Sequence, residues 1–151
     1  MTMTEPAVRD RLALVLDFAD LATAQAALAP VRDFVRTVKV GYELFFNEGT
    51  RAVSSFAEQG FDVFLDVKLH DIPTTVNKGA RAVGRLGAKY VTVHTLGGEA
   101  MVRAAVDGLA EGAARDGIDA ACALGVTVLT YDTAAPCARP EEHTTELQSP
   151  R

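Results

Sequence analysis

An α/β fold of parallel strands is predicted by three features of this chain. Five short apolar runs are separated by helical stretches between residues 12 and 130, each apolar run finishes on a polar residue, and the composition is that of a globular protein. Strands joined through helices lie parallel by right-handed crossovers, which brings all their carboxyl ends to one side of the sheet. At 151 residues the chain is one domain by length, and 48% hydrophobic with 23% charged residues is enough to bury a core. A net charge of −5 argues against a nucleic-acid partner, and no run approaches the length of a membrane span. The start, Met1-Thr2-Met3-Thr4-Glu5-Pro6, lacks the basic-then-apolar pattern of a signal peptide, so a cytoplasmic protein is expected. Cys122 and Cys137 are too few for a disulfide framework and default to reduced thiols, while His70, His94 and His143 show no metal-ligand spacing.

The elements come in order along the chain. Leu12-Ala13-Leu14-Val15-Leu16-Asp17 reads as a first strand ending in an acid, and Asp20 can cap the Ala-rich helix that reaches Pro30. Residues 34–40 form a second strand ending Lys39-Val40-Gly41, and one long helical pattern runs from Tyr42 to Gln59 and stops at Gly60. A third strand spans 61–69, with a helix from Pro73 to about Leu86 that stops at Gly87. Tyr90-Val91-Thr92-Val93-His94 is the fourth strand; Gly97-Gly98 then turns into an Ala-rich helix ending near Asp116-Gly117, and residues 121–130 form the fifth. Residues 131–151 carry no apolar periodicity and several breakers, so they are not expected to continue the fold.

The chemistry centres on the end of the third strand and the start of the next helix, Asp66-Val67-Lys68-Leu69-His70-Asp71-Ile72-Pro73-Thr74-Thr75. Alternation predicts that Val63, Leu65, Val67 and Leu69 share one apolar face, which wants covering helices. Phe64, Asp66 and Lys68 then point the other way, and two opposite charges on an inner face are costly unless paired and used. The bland reading makes Asp66 and Lys68 a surface ion pair, with Asp71 and Pro73 merely starting a helix. The apolar opposite face argues against so exposed a strand. The other strands end on Asp17, Lys39, His94 and Thr130, and these endings would gather at one mouth. In α/β folds, and in (β/α)₈ barrels especially, catalytic residues collect there from different strands. Taken singly, Asp17 reads as a cap, Lys39 as a snorkelling cation and His94 as a hydrogen-bonded core residue. Gly97-Gly98-Glu99 reads first as a tight turn, with a phosphate cradle as the alternative.

Asp66-x-Lys68-x-x-Asp71 followed by Ile72-Pro73 resembles the signature of the orotidine 5′-phosphate decarboxylases, and Lys68-Leu69-His70-Asp71-Ile72-Pro73 is its more specific part. The resemblance covers roughly residues 10–130, with Leu16-Asp17, Lys39-Val40-Gly41, residues 66–75, Val93-His94 and Val126-Thr127-Val128-Leu129-Thr130 falling in order. It implies a (β/α)₈ TIM barrel, truncated here to about five β-α units, with residues 1–130 as the partial barrel and 131–151 as an unstructured tail. It further implies conversion of orotidine 5′-phosphate to UMP in de novo pyrimidine biosynthesis, without a cofactor or metal, in a homodimer with shared active sites. By similarity, Asp17 would contact the ribose. Lys39, Asp66 and Lys68, with Asp71 from a second subunit, would form an alternating charge network, and Thr75 and Thr130 would line the nucleotide pocket.

The chain departs from the family at Tyr131, where a Ser is usual, and the match ends there. The family's phosphate-gripping elements belong to the last three strands, so the chain by itself is not expected to be a competent catalyst. Glu141-Glu142-His143-Thr144-Thr145-Glu146-Leu147-Gln148-Ser149 resembles translated sequencing-adapter text, which points to a truncated reading frame. Two alternatives stand beside this reading: a Mg²⁺-dependent sugar-phosphate decarboxylase or aldolase of the same superfamily, and an inactive, partner-binding half-barrel.

Overall fold

The structure, a computed structural model, describes residues 7–129. A 3-10 turn at Val8–Arg11 leads into strand β1 (Ala13–Val15) and helix α1 (Leu21–Leu28), which runs on as a 3-10 turn over Ala29–Phe34. Then come β2 (Thr37–Val40), α2 (Tyr42–Glu48), α3 (Arg51–Ala57), β3 (Asp62–Leu69) and α4 (Pro73–Gly84). β4 (Tyr90–His94), a 3-10 turn at Thr95–Gly97, α5 (Gly98–Asp116) and β5 (Cys122–Val126) complete the described chain. All five strands are parallel and lie in chain order, β1-β2-β3-β4-β5. This sequential parallel order is the wall of a (β/α)₈ barrel, five strands of which are described.

One face of the sheet is covered by helices. Val38, Val40, Val63, Leu65, Val91 and Val93 are buried from β2, β3 and β4, in one cluster with helix residues such as Leu44, Phe56 and Leu109. The other face carries Lys39, Phe64 and Tyr90, side by side in the strand register, with Phe64 and Tyr90 in edge-to-face contact at 6.3 Å. Near the amino ends of the strands this face is tied by charge. Asp62 accepts from Arg36 Nε at 2.9 Å and Lys89 Nζ at 2.7 Å, joining the starts of β2, β3 and β4. Burial pushes the Asp62 carboxyl up, but hydrogen bonds from Lys89 and Arg36 outweigh it and hold the group below its ordinary value.

Several expected boundaries move. The helix predicted from Tyr42 to Gln59 is two, because Gly49 takes a left-handed φ of 60° while its N–H donates to Phe45 O and closes α2. Phe34 belongs to a 3-10 turn rather than to β2, and β5 stops at Val126. The helix after β3 ends at Gly84, short of Leu86. Asp20 does cap α1, accepting from the Thr23 N–H at 2.8 Å, and α5 closes on left-handed Gly117. In β3 the alternation holds for buried Val63 and Leu65 but leaves Val67 and Leu69 only half-buried, since the strand is distorted at Lys68. No helix among the described residues is long and apolar enough to cross a membrane.

Candidate active site

Two lysines converge on one carboxylate at the carboxyl ends of β2 and β3. Lys39 lies beside Phe64 in the register, so its long side chain has only to lean along the strand to bring Nζ 3.1 Å from Asp66 Oδ2. Lys68 Nζ donates to Asp66 Oδ1 at 2.8 Å, and Thr92 Oγ1 from β4 donates to the same oxygen at 3.0 Å. Asp66 is almost fully enclosed. Burial raises its pKa, yet the hydrogen bonds from Lys68, Lys39 and Thr92 prevail and leave it lowered from the ordinary 3.8. With Asp66 ionised between two ammonium groups, the cluster carries one net positive charge and invites one further anion.

Lys68 reaches this position through a distorted backbone. Leu65 pairs with Val91 and Leu69 with Val93, so β3 advances four residues while β4 advances two. Within the bulge Lys68 adopts φ 43°, the single non-glycine residue with positive φ among those described. The Lys68 N–H donates to Thr92 Oγ1 at 2.8 Å, and the Val67 carbonyl accepts from Tyr42 OH at 3.1 Å. The Tyr42 ring also lies 5.4 Å from Lys68 Nζ, within cation–π range.

The remaining expected residues are distributed differently. Asp17 sits just past β1, and its Oδ1 accepts from the N–H groups of Glu43 (3.0 Å) and Leu44 (3.3 Å). It thereby caps α2, whose own N-cap residue, Gly41, has no side chain to do so. A Cβ at Gly41 would stand 2.5 Å from the Asp17 carboxylate, so this close approach requires glycine. Asp71 is exposed, and its Oδ1 accepts the Ile72 N–H at 2.6 Å; no described ion pair joins it to Lys68 or Lys39. Pro73 begins α4, and Thr75 is exposed in its first turn, with its N–H on Ile72 O. Thr130, Tyr131, Cys137 and His143 lie outside the described residues, whereas Cys122 is an exposed free thiol. Gly97-Gly98 forms the expected turn into α5.

Sequence reasoning missed Thr92, Tyr42 and the contact between His70 and His94. Thr92 shares the inner face with Tyr90 and His94 by simple alternation, a signal that was present. Tyr42 carried no such signal, since its reach to Val67 depends on how α2 is set against β3. His70 and His94 come together with ring centroids 4.9 Å apart, a contact across the β3–β4 register that spacing alone does not reveal. Among the described residues no group of three or more His, Cys, Asp or Glu is arranged to hold a metal ion.

Known proteins share both the sequence and the fold of this chain. The family model described as "Orotidine 5'-phosphate decarboxylase / HUMPS family" matches residues 10–146, running past residue 130, where the resemblance in motifs stops. The orotidine 5'-phosphate decarboxylase of Lactobacillus johnsonii is 56% identical over 75 residues, 50% of this chain and 32% of that protein. The Lactiplantibacillus plantarum decarboxylase is 46% identical over 115 residues, 74% of this chain and 48% of its own length. The crystal structure of the Lactobacillus acidophilus decarboxylase superposes with a TM-score of 0.70 at 39% identity, covering 79% of this chain and 53% of that one. The chain thus spans about half the length of such relatives.

Proposed function

The chain belongs to the orotidine 5'-phosphate decarboxylase / HUMPS family, and on that premise we propose that its charge cluster serves the decarboxylation of orotidine 5′-phosphate to UMP in de novo pyrimidine biosynthesis. The observation that carries the reading is a buried Asp66 held ionised between Lys39 and Lys68, a cluster that within this chain has one positive charge to spare. Decarboxylation breaks the bond from C6 to the carboxylate and leaves the electron pair on C6. No electron sink is at hand on the ring, so fixed charges must lower the barrier. Asp66 faces the substrate carboxylate, and their repulsion is relieved as carbon dioxide departs. Lys68 stabilises the developing carbanion and delivers its proton to C6, then recovers one from solvent. Lys39 holds Asp66 and the ribose.

Asp17, Thr75 and Thr130 complete the nucleotide contacts in this reading, and Asp71 enters from the second subunit of a cytoplasmic homodimer. The exposure of Asp71 and its lack of a described bond to Lys68 within its own chain accord with a role in trans.

The test joins this chain to the remaining half of the Lactiplantibacillus plantarum relative and measures carbon dioxide release from orotidine 5′-phosphate, with and without a chelator. Metal-independent release supports the proposal. No release, or Mg²⁺-dependent turnover of a sugar phosphate instead, overturns it. Mixing Lys68→Ala with Asp71→Ala subunits of the same protein should restore activity, because a heterodimer then holds one site with both lesions and one with neither. Mixtures as inactive as their parents would rule out the shared site.

A further inference from the structure

The Val67–Lys68 peptide unit is held at both ends by side chains rather than by the sheet. β2 ends at Val40, opposite Leu65, so the Val67 carbonyl has no strand beside it and takes the Tyr42 hydroxyl instead. On the other edge the bulge removes the Lys68 N–H from the β4 ladder, and Thr92 Oγ1 accepts it. A threonine hydroxyl has one proton and two lone pairs. Accepting from Lys68 N–H and donating to Asp66 Oδ1 fixes its rotor, and Thr92 itself is buried. One hydroxyl therefore ties the main chain of Lys68 to the carboxylate that its own side chain grips.

We propose that Thr92 is a positioning residue, its hydroxyl holding Lys68 in the left-handed bulge and Asp66 at the Lys68 ammonium, with Tyr42 steadying the same peptide from the opposite side. This inference deepens the decarboxylase reading and rests on it for its catalytic consequence; the geometry itself is independent of that reading. Lysine disfavours φ 43°, because its Cβ crowds the following carbonyl. Such a conformation persists only where neighbouring groups over-determine it. Thr92 and Tyr42 are those groups. Without them Lys68 would relax toward ordinary strand geometry, and alternation would aim its side chain differently.

The experiment compares Thr92→Val, which keeps the β-branched shape and removes both bonds, with Thr92→Ser, which keeps the hydroxyl, and with Tyr42→Phe. In the chain itself, NMR follows the Asp66 carboxyl titration and the Lys68 amide. Thr92→Val should move the Asp66 midpoint to higher pH and expose the Lys68 amide to solvent exchange, and Thr92→Ser should restore both. In the joined protein, kcat should fall about 10- to 100-fold in Thr92→Val, the scale of a misplacement near 1 Å. KM should stay within about threefold, since Thr92 does not touch substrate in this reading, and Thr92→Ser should recover kcat. If Thr92→Val fails to fold, half-exposed Tyr42→Phe decides the matter through the Lys68 amide and kcat. A Thr92→Val titration identical to the parent's, or failure of Thr92→Ser to restore it, overturns the proposal. Should the parent release no carbon dioxide, the decarboxylase reading falls and the titration alone judges the clamp.

Discussion

β3 carries two aspartates four residues apart, each gripped by two cations from its surroundings, and the two networks differ in almost everything else. Asp62 at the amino end is held by Arg36 and Lys89, both 47% exposed; Asp66 at the carboxyl end is held by Lys39 and Lys68, 28% and 27% exposed. Both carboxyls are kept below their ordinary range, against burial that pushes them up. The lower network has no buried hydroxyl, and its cations sit on ordinary backbone. The upper one adds Thr92 and a lysine in a left-handed bulge. Ion pairing alone therefore does not mark a reactive site. What separates the two is strain held in place by dedicated partners, a common feature of functional positions.

The largest expected difference is in turnover. Lys68→Ala in the joined protein should lose at least 10²–10⁴-fold, because in the proposed mechanism it removes both the proton donor and a charge facing C6. Lys89→Ala, with the same charge lost from the amino end, should stay within about threefold. A Lys68→Ala protein that keeps a tenth of the parental rate would erase the distinction between the networks.

Next comes the carboxylate pair. Asp66→Asn should cost turnover about 100-fold or more, while Asp62→Asn should leave turnover near parental and cost about 1–2 kcal/mol of stability by denaturant unfolding, since two half-exposed cations lose the negative charge of their shared acceptor. Acid unfolding sharpens this. Both carboxyls have lowered folded-state pKa values, so the stability they supply is complete above the unfolded value near 3.8 and is lost as pH falls through the folded values below it. Each Asn variant should flatten the acid limb of the stability profile. Equal limbs in parent and variants would mean that the cations do not hold these groups ionised.

The smallest effect concerns the backbone. Lys68→Gly should be more stable than Lys68→Ala by about 1 kcal/mol, because only glycine adopts φ 43° without a Cβ penalty. At Lys89, which lies outside the left-handed region, the order should reverse or vanish. Thermal unfolding of the four variants gives the answer.

Much of this was legible locally. The alternation of apolar runs and helical stretches predicted five parallel strands; the polar strand endings predicted a gathering at one mouth, and Lys39, Asp66 and Lys68, which the family resemblance placed in one charge network, do meet. Asp17 stands just past β1 rather than at its end and does act as a cap, but that the helix it caps is α2 was set by the distance between β1 and Gly41. The joining of Arg36 and Lys89 to Asp62 was not legible, because 27 residues separate Lys89 from Asp62 and nothing in the spacing links them.

The amino-acid sequence by itself determined which side chains alternate to which face and which ends of the strands are charged, since both follow from a two-residue period along one strand. Only the tertiary structure decided which residues stand opposite one another. Register between strands depends on the packing of helices and on a bulge at Lys68 that shifts β3 against β4, and no local period encodes either. Thr92 and Tyr42 acquire their contacts to the Val67–Lys68 peptide from that register, across 24 and 25 residues of chain.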